Sequence, residues 1–261
     1  MGMFFSVFGQ GAMNNDTPFA KQAGDFTLGV DATPLFGLIN HGRNEGFSNT
    51  VFFKYFLNEN GALRAKLFLN FTQEAFKQTV ADQHAIAINP TNVAATTVDT
   101  RILDNQGVGL NFGYEFRKGS GRVQGFYGVE ALFGYSAEKN SYEYGNPITS
   151  ANRNPTTANF DGNATPTQGT RIIERKTGAT LSAGLGGFLG IEIFLASQVS
   201  VGGELGLNFN YMIGGQNEIT SEGWLDSSLK EYSYRERNGG RAFNIGGSTM
   251  PTGSIFLMLH F

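Results

Sequence analysis

No cysteine occurs anywhere in the sequence, so neither a disulfide framework nor a thiolate metal site can be built from it. The three histidines, His41, His84 and His260, share no ligand spacing, and no metal site is assigned. Charge of one sign is also missing: 19 Lys and Arg against 22 Asp and Glu leave a net charge of -3 with no basic stripe, which argues against nucleic acid as a partner. No apolar run reaches the ~18 residues of a membrane helix. Only 16% of the chain is charged while 36 residues are glycine, a poor composition for a helical bundle. Catalytic constellations are lacking as well. The stretch AGLGGFLG (Ala183 to Gly190) superficially resembles a phosphate-binding glycine loop but opens no helix, and no spacing selects His41 with Asp226 or Glu222 as a rim catalyst. The chain is read as a non-enzyme with no catalytic or cofactor-binding residues and no cofactor.

What is present is phenylalanine, 24 residues of it, set in a repeated period of two. In FTLGVDA, Phe26, Leu28, Val30 and Ala32 alternate with small or polar residues. ALRAKLFLNF puts Leu63, Ala65, Leu67, Leu69 and Phe71 on one face against Arg64, Lys66, Phe68 and Asn70 on the other. VGLNFGYEFR repeats the rule with Val108, Leu110, Phe112, Tyr114 and Phe116. Similar segments at Thr50 to Leu57, Val123 to Tyr135, Ala179 to Phe194, Val199 to Tyr211 and Ser254 to Phe261 bring the count to eight strands.

The connections alternate in length. Asn58 to Gly61, Lys118 to Arg122 and Ala196 to Gln198 are hairpin turns, whereas Asn40 to Asn49, Thr72 to Gly107, Ser136 to Thr177 and Met212 to Gly253 are long and polar, with room for strands to extend into them. Short turns at one end and long loops at the other predict an all-β fold, a transmembrane antiparallel up-and-down β-barrel of eight strands with long extracellular loops and short periplasmic turns. A soluble barrel would alternate too, but its outer face would carry charge, and here one face is nearly uncharged and aromatic. Strands of about ten residues, rising roughly 3.3 Å each and tilted near 45°, span about 23 Å, close to the apolar band of a bacterial outer membrane. Tyr55, Phe116 and Phe261 near the turns, and Phe71, Tyr135 and Tyr211 near the loops, fit two aromatic girdles. The barrel is assigned to residues 24–261 as a single domain, preceded over residues 1–23 by a tail that reads either as the residue of a signal peptide (MGMFFSVFGQ) or as a disordered amphipathic segment.

The inward face carries Asp31, Lys54, Arg64, Lys66, Glu115, Arg117, Glu130, Glu192 and Glu204. An eight-stranded barrel has an interior just wide enough for side chains, so opposite charges should pair across it. Inward glycines such as Gly113, Gly128, Gly190 and Gly202 would make room for them. A structural network is favoured over a proton or ion path.

The final stretch, SIFLMLHF, alternates Ile255, Leu257, Leu259 and Phe261 with Ser254, Phe256, Met258 and His260. A closed barrel must pair its last strand with its first, because an open edge in hydrocarbon leaves backbone groups unsatisfied. This stretch resembles the terminal assembly signal of bacterial outer-membrane proteins, and the region from Gly24 to Phe261 is similar to the small OmpA-like eight-stranded barrels with large loops common among Bacteroidetes, departing from full-length OmpA in the expected lack of a periplasmic peptidoglycan-binding domain after the barrel. The resemblance implies an integral protein of the outer membrane of a Gram-negative cell envelope, with loops outside and both termini periplasmic. It implies outer-membrane lipid and the barrel-assembly machinery as partners. Two functions are then open. One is a structural or surface-interaction role, in which the loops meet an extracellular ligand or another outer-membrane protein, as an accessory subunit of a larger complex for instance; Trp224, Tyr232, Tyr234, Arg235 and Arg237 are the interface-prone candidates. The other is a narrow pore or a conduit for small or hydrophobic solutes.

Overall fold

A computed structural model describes residues 19–32, 49–160, 169–236, 239–245 and 252–261. Its elements in chain order are β1 (Phe26–Asp31), β2 (Asn49–Asn58), β3 (Gly61–Ala81), the short helix α1 (Gln83–Ile88), β4 (Thr96–Lys118), β5 (Val123–Glu143), β6 (Thr170–Ala196), β7 (Val199–Gly214), β8 (Asn217–Leu225), β9 (Ser228–Glu236), β10 (Arg241–Ile245) and β11 (Thr252–His260). No helix among the described residues is long and apolar enough to cross a membrane. The first long connection, residues 33–48, lies outside the described residues, as do residues 1–18 and Arg237.

Eight strands, β1 to β7 and β11, close into a ring in which every neighbouring pair is antiparallel. The expected seam is present: β11 lies between β7 and β1, with Leu28 opposite Leu259 and Val30 opposite Leu257. Phe26 and Phe261 exchange backbone hydrogen bonds just past the ladder, and their rings stack with centroids 5.0 Å apart. The alternation seen in the sequence sorts the two faces of the ring. Leu185 is 67% exposed on the outside, whereas Glu115 on the inside is wholly buried, so the ring inverts the usual burial of apolar groups. Ala32, one residue beyond β1, is buried and ends that alternation.

Inside, Phe52, Phe126, Phe188, Phe256 and Met258 form one apolar cluster. Its rings lie over glycines in the register: Phe188 is directly opposite Gly128, and Phe256 opposite Gly202. A Cβ at Gly128 would stand 2.6 Å from the Phe188 ring, and one at Gly202 2.5 Å from the Phe256 ring, so these aromatics occupy space that only glycine leaves open.

The strands run well past the ring on the loop side. β3 has 21 residues, about 70 Å of extended chain, yet pairs with β2 only as far as Leu69. Much of what the sequence suggests as loop is therefore strand. The upper parts of β3, β4, β5 and β6 form an open sheet that β8 and β9 extend at the β6 edge, while β10 adds to β7. A register shift between Ser136 and Glu138 falls where the ring gives way to this sheet, the usual place for a change of strand direction, and a second, between Ile172 and Glu174, lies within the sheet where β6 pairs with β8.

Candidate functional site

The interior network follows from which residues face each other across the ring. Lys54 on β2 is directly opposite Arg64 on β3, two cations that need shared carboxylates. Glu115, from β4, supplies one, at 3.0 Å from Lys54, 3.4 Å from Arg64 and 2.6 Å from Arg117. Glu192, from β6, joins Arg117 at 2.8 Å and Lys54 at 3.5 Å. Glu204, from β7, closes the ring from its far side with Arg64 at 2.7 Å and Lys66 at 2.5 Å. Glu130, from β5, meets Lys66 at 3.1 Å and Arg64 at 3.6 Å. Four cations and four carboxylates thus neutralise one another in a region where all but Lys66 are buried, with the Arg64 guanidinium stacked 3.7 Å from the centre of the Phe188 ring. Glycines give these long side chains their space, since Glu130 lies between Gly113 and Gly186 and Glu192 opposite Gly202. Eight of the nine inward charges singled out in the sequence belong to this assembly. The ninth, Asp31, lines a cavity of about 190 Å³ between the network and the loop end, with Lys66, Glu130, Glu204, Phe52 and Asn208 also on its wall.

Five uncharged or neutralising partners of the network were missed: Gln124, which accepts from Arg117 at 2.9 Å, Asn111, which donates to Glu130 at 3.1 Å, and the trio His260, Ser200 and Thr27. His260 Nε2 is 3.1 Å from Glu192 Oε1 and 2.7 Å from Ser200 Oγ, and its Nδ1 is 2.8 Å from Thr27 Oγ1, so one ring joins β1, β6, β7 and β11. Ser200 donates to Glu192 at 2.5 Å, and Ser200, Glu192 and His260 are all buried, which makes them an interior clamp across the seam. The signal was available: His260 has the inward parity of Phe256 and Met258. Its polar neighbours, Thr27 directly opposite it and Ser200 opposite Met258, are themselves small residues that alternation alone ranks as filler.

The hairpin end is closed by residues that precede β1. Lys21 is buried, donates to the Ser197 carbonyl at 3.2 Å and lies 5.0 Å over the Phe194 ring. Gln124 donates to the Phe19 carbonyl at 2.9 Å, and the Phe19 ring packs against Phe194. Part of the segment expected as a tail therefore forms a floor beneath the network.

On the loop side, the 144–160 connection is pinned to the tips of β3 and β4. The buried Asp99 carboxylate accepts from the Gly145 N–H at 2.8 Å and the Ala158 N–H at 2.7 Å. Asn146 donates to the Ala81 and Thr156 carbonyls at 2.8 and 3.0 Å and accepts from the Gln83 N–H at 3.0 Å. Arg171 ties β6 to β8 through Glu222 at 2.6 Å and to the pinned segment through the Asn146 carbonyl at 2.7 Å. Higher exposure suits Glu174, whose carboxylate is held below its ordinary range by hydrogen bonds from Lys139 and Lys176, both 2.7 Å away.

The interface candidates are not on a loop. Trp224 lies on β8 opposite Leu229, and Tyr232, Tyr234 and Arg235 lie on β9, where Arg235 reaches Glu218 at 3.3 Å. The two strands meet at a two-residue turn in which Asp226 and Ser227 both have positive φ, 46° and 66°, the backbone of a tight right-twisting hairpin.

No known protein-family model matches the chain, and no curated protein matches it either.

Proposed function

We propose that the ring is a transmembrane β-barrel of a bacterial outer membrane, of the OmpA-like eight-stranded kind, and that its work is structural: it holds the loop-side sheet rigidly at the cell surface for contact with a partner. One observation carries this reading. The outer wall of the ring is a continuous exposed belt of Leu, Val, Ile, Phe and Tyr, including Phe112, Val129, Leu185 and Leu205, while its interior is charged and packed. Monomeric soluble proteins rarely expose contiguous apolar surface beyond a few hundred Å², and hydrocarbon is the solvent that suits such a wall. Closure of β11 on β1 also leaves no strand edge for lipid to meet. The topology that goes with this reading has both termini and the short turns in the periplasm, the long strands outside, outer-membrane lipid around the wall and the barrel-assembly machinery acting on Ile255, Leu257, Leu259 and Phe261 during insertion.

The experiment is side-selective labelling in intact cells. A cysteine introduced at Asn60, in the β2–β3 turn, should stay unlabelled by an impermeant maleimide, and one at Ser227 should react. Reaction at Asn60 alone would reverse the topology, and recovery of the chain in the soluble fraction would remove the membrane altogether.

The second reading, a narrow pore or conduit, has the 190 Å³ cavity in its favour. Against it stand the salt-bridge layer below the cavity and the Phe19 to Lys21 floor below that.

A further inference from the structure

β9 is the last strand of the open loop-side sheet among the described residues: it pairs with β8 on one side and with no other described strand. Eight of its nine residues are exposed, including Tyr232 and Tyr234. Exposed edges of this length attract other strands and are normally blunted by proline, bulges, charged side chains or a covering segment, and of these β9 carries charge, at Lys230, Glu231, Arg235 and Glu236. The nine residues SLKEYSYRE contain no proline, and the pairing with β8 runs without a register shift.

The sequence of the edge specifies what fits it. About Ser233, Lys230-Glu231-Tyr232 on one side is matched by Tyr234-Arg235-Glu236 on the other. Run antiparallel against itself with Ser233 opposite Ser233, the strand places Lys230 against Glu236, Glu231 against Arg235 and Tyr232 against Tyr234, each pair occurring twice. Opposite charges and aromatic pairs directly across a ladder are the stabilising combinations. Shifting the centre to Tyr232 sets Glu231 against Ser233 and Leu229 against Arg235, with no opposite-charge pair; shifting it to Glu231 sets that carboxylate against its own copy.

Backbone geometry permits this register and excludes the one centred on Tyr232. Leu225 and Ser228 close the two-residue turn, so they form a hydrogen-bonded pair and the alternation turns the N–H and C=O groups of Leu229, Glu231, Ser233 and Arg235 away from β8. A ladder centred on Ser233 joins those outward groups to one another. Within one copy Glu231 lies opposite Glu222, whose charge Arg171 already meets at 2.6 Å, and a second copy's Arg235 would set an opposite charge on the outer side of Glu231. The contacts already made by the cations, Lys230 with Asp226 and Arg235 with Glu218, are solvent-exposed and weak competitors.

We propose that β9 is a self-complementary docking edge through which two copies of this chain pair, antiparallel and two-fold symmetric about Ser233. The pairing reverses strand direction, so the two rings lie at opposite ends of the joined sheet. If the display reading holds, on which this orientation rests, the copies face each other from two apposed membrane surfaces.

The lack of cysteine makes the test clean. Full-length protein in detergent, measured by light scattering over a concentration series, should reach twice the monomer mass. Ser233→Pro, which removes an outward N–H and leaves the backbone ladder to β8 in place at the cost of the Ser233–Thr220 side-chain hydrogen bond, should return it to one copy while the ring keeps its folded, heat-modifiable band on gels. The charge-reversed pairs K230E/R235E and E231K/E236K should each be monomeric alone and dimeric when mixed. Ser233→Cys should oxidise to a covalent dimer faster than Tyr232→Cys. A monomer at all concentrations overturns the proposal, as does a dimer indifferent to Ser233→Pro and to both charge reversals. Failure of the membrane reading would show separately, as a chain that stays dispersed without detergent whatever its mass.

Discussion

The ring and the sheet above it are built from the same strands but bury opposite things. Within the ring, β3 turns Arg64 and Lys66 inward and Leu63 and Leu67 outward, and the enclosed space is filled by ions. Further along, the strand pairs with β4 alone, both of its faces are largely exposed, and the nearby buried groups are polar anchors such as Asp99 and Asn146. The first region is held by charges that neutralise one another across a closed space, the second by carboxylate and amide groups that satisfy backbone N–H and C=O donors and acceptors. What differs is whether the partners of a buried polar group are themselves charged, and that sets how much is lost when one is removed.

The largest effect is expected at Glu115, which meets Lys54, Arg64 and Arg117. Glu115→Ala leaves buried cations short of counter-charge and should destabilise the ring by about 3–5 kcal/mol, read from denaturant unfolding of the detergent-folded protein. A loss below 1 kcal/mol would show that the interior is wetter than the packing implies. Conductance separates sealing from stability: wild-type protein in planar bilayers should be silent or nearly so, and Arg64→Ala should raise the open probability as Glu204 and Glu115 draw in water. Large, stable wild-type channels would instead favour the conduit reading.

Asp99→Ala should cost less, about 1–3 kcal/mol, because it strands two backbone N–H groups and no charge. Its signature is local. Limited proteolysis should open residues 144–160 while the ring retains its heat-modifiable band, and simultaneous loss of both would mean that the two regions fold as one unit.

The ring was legible in the sequence because a lumen and a wall impose a strict period of two, and the eight paired charges could be read from parity once the strands were counted. Which charge meets which was not, since that depends on the stagger between strands as well as on their order. His260 shows the limit well: its parity was plain, yet its bonds to Ser200 and Thr27 come from register across the seam. Strands β8 and β9 escaped notice for another reason. In SEGWLDSSLKEY the β9 part has no buried face and the β8 part buries Ser221 and Gly223 rather than apolar side chains, so polarity alternates weakly, and Asp226-Ser227 is not among the glycine-containing turns that announce a hairpin. Tyr232, Tyr234 and Arg235 were visible as interface types but without the strand that orders them.

The smallest expected effect is a pH response on the loop side. The Glu174 carboxyl is held below its unfolded value by Lys139 and Lys176, so its contribution is present above about pH 4.5 and is lost as pH falls through the lower folded value. Because these groups are partly exposed, salt should screen it. Glu174→Gln should flatten the acid limb of unfolding slightly at low salt and leave it unchanged at high salt.

The central claim is that the apolar wall of the ring meets lipid while its charged interior is closed. Spin labels at Leu185→Cys on the wall and at Ser227→Cys on the β8–β9 turn, in protein reconstituted into vesicles, test it directly through their relaxation by oxygen and by a water-soluble nickel chelate. The account predicts that oxygen dominates at position 185 and the chelate at position 227. Relaxation of both labels by the chelate alone would place the wall in water and contradict the account.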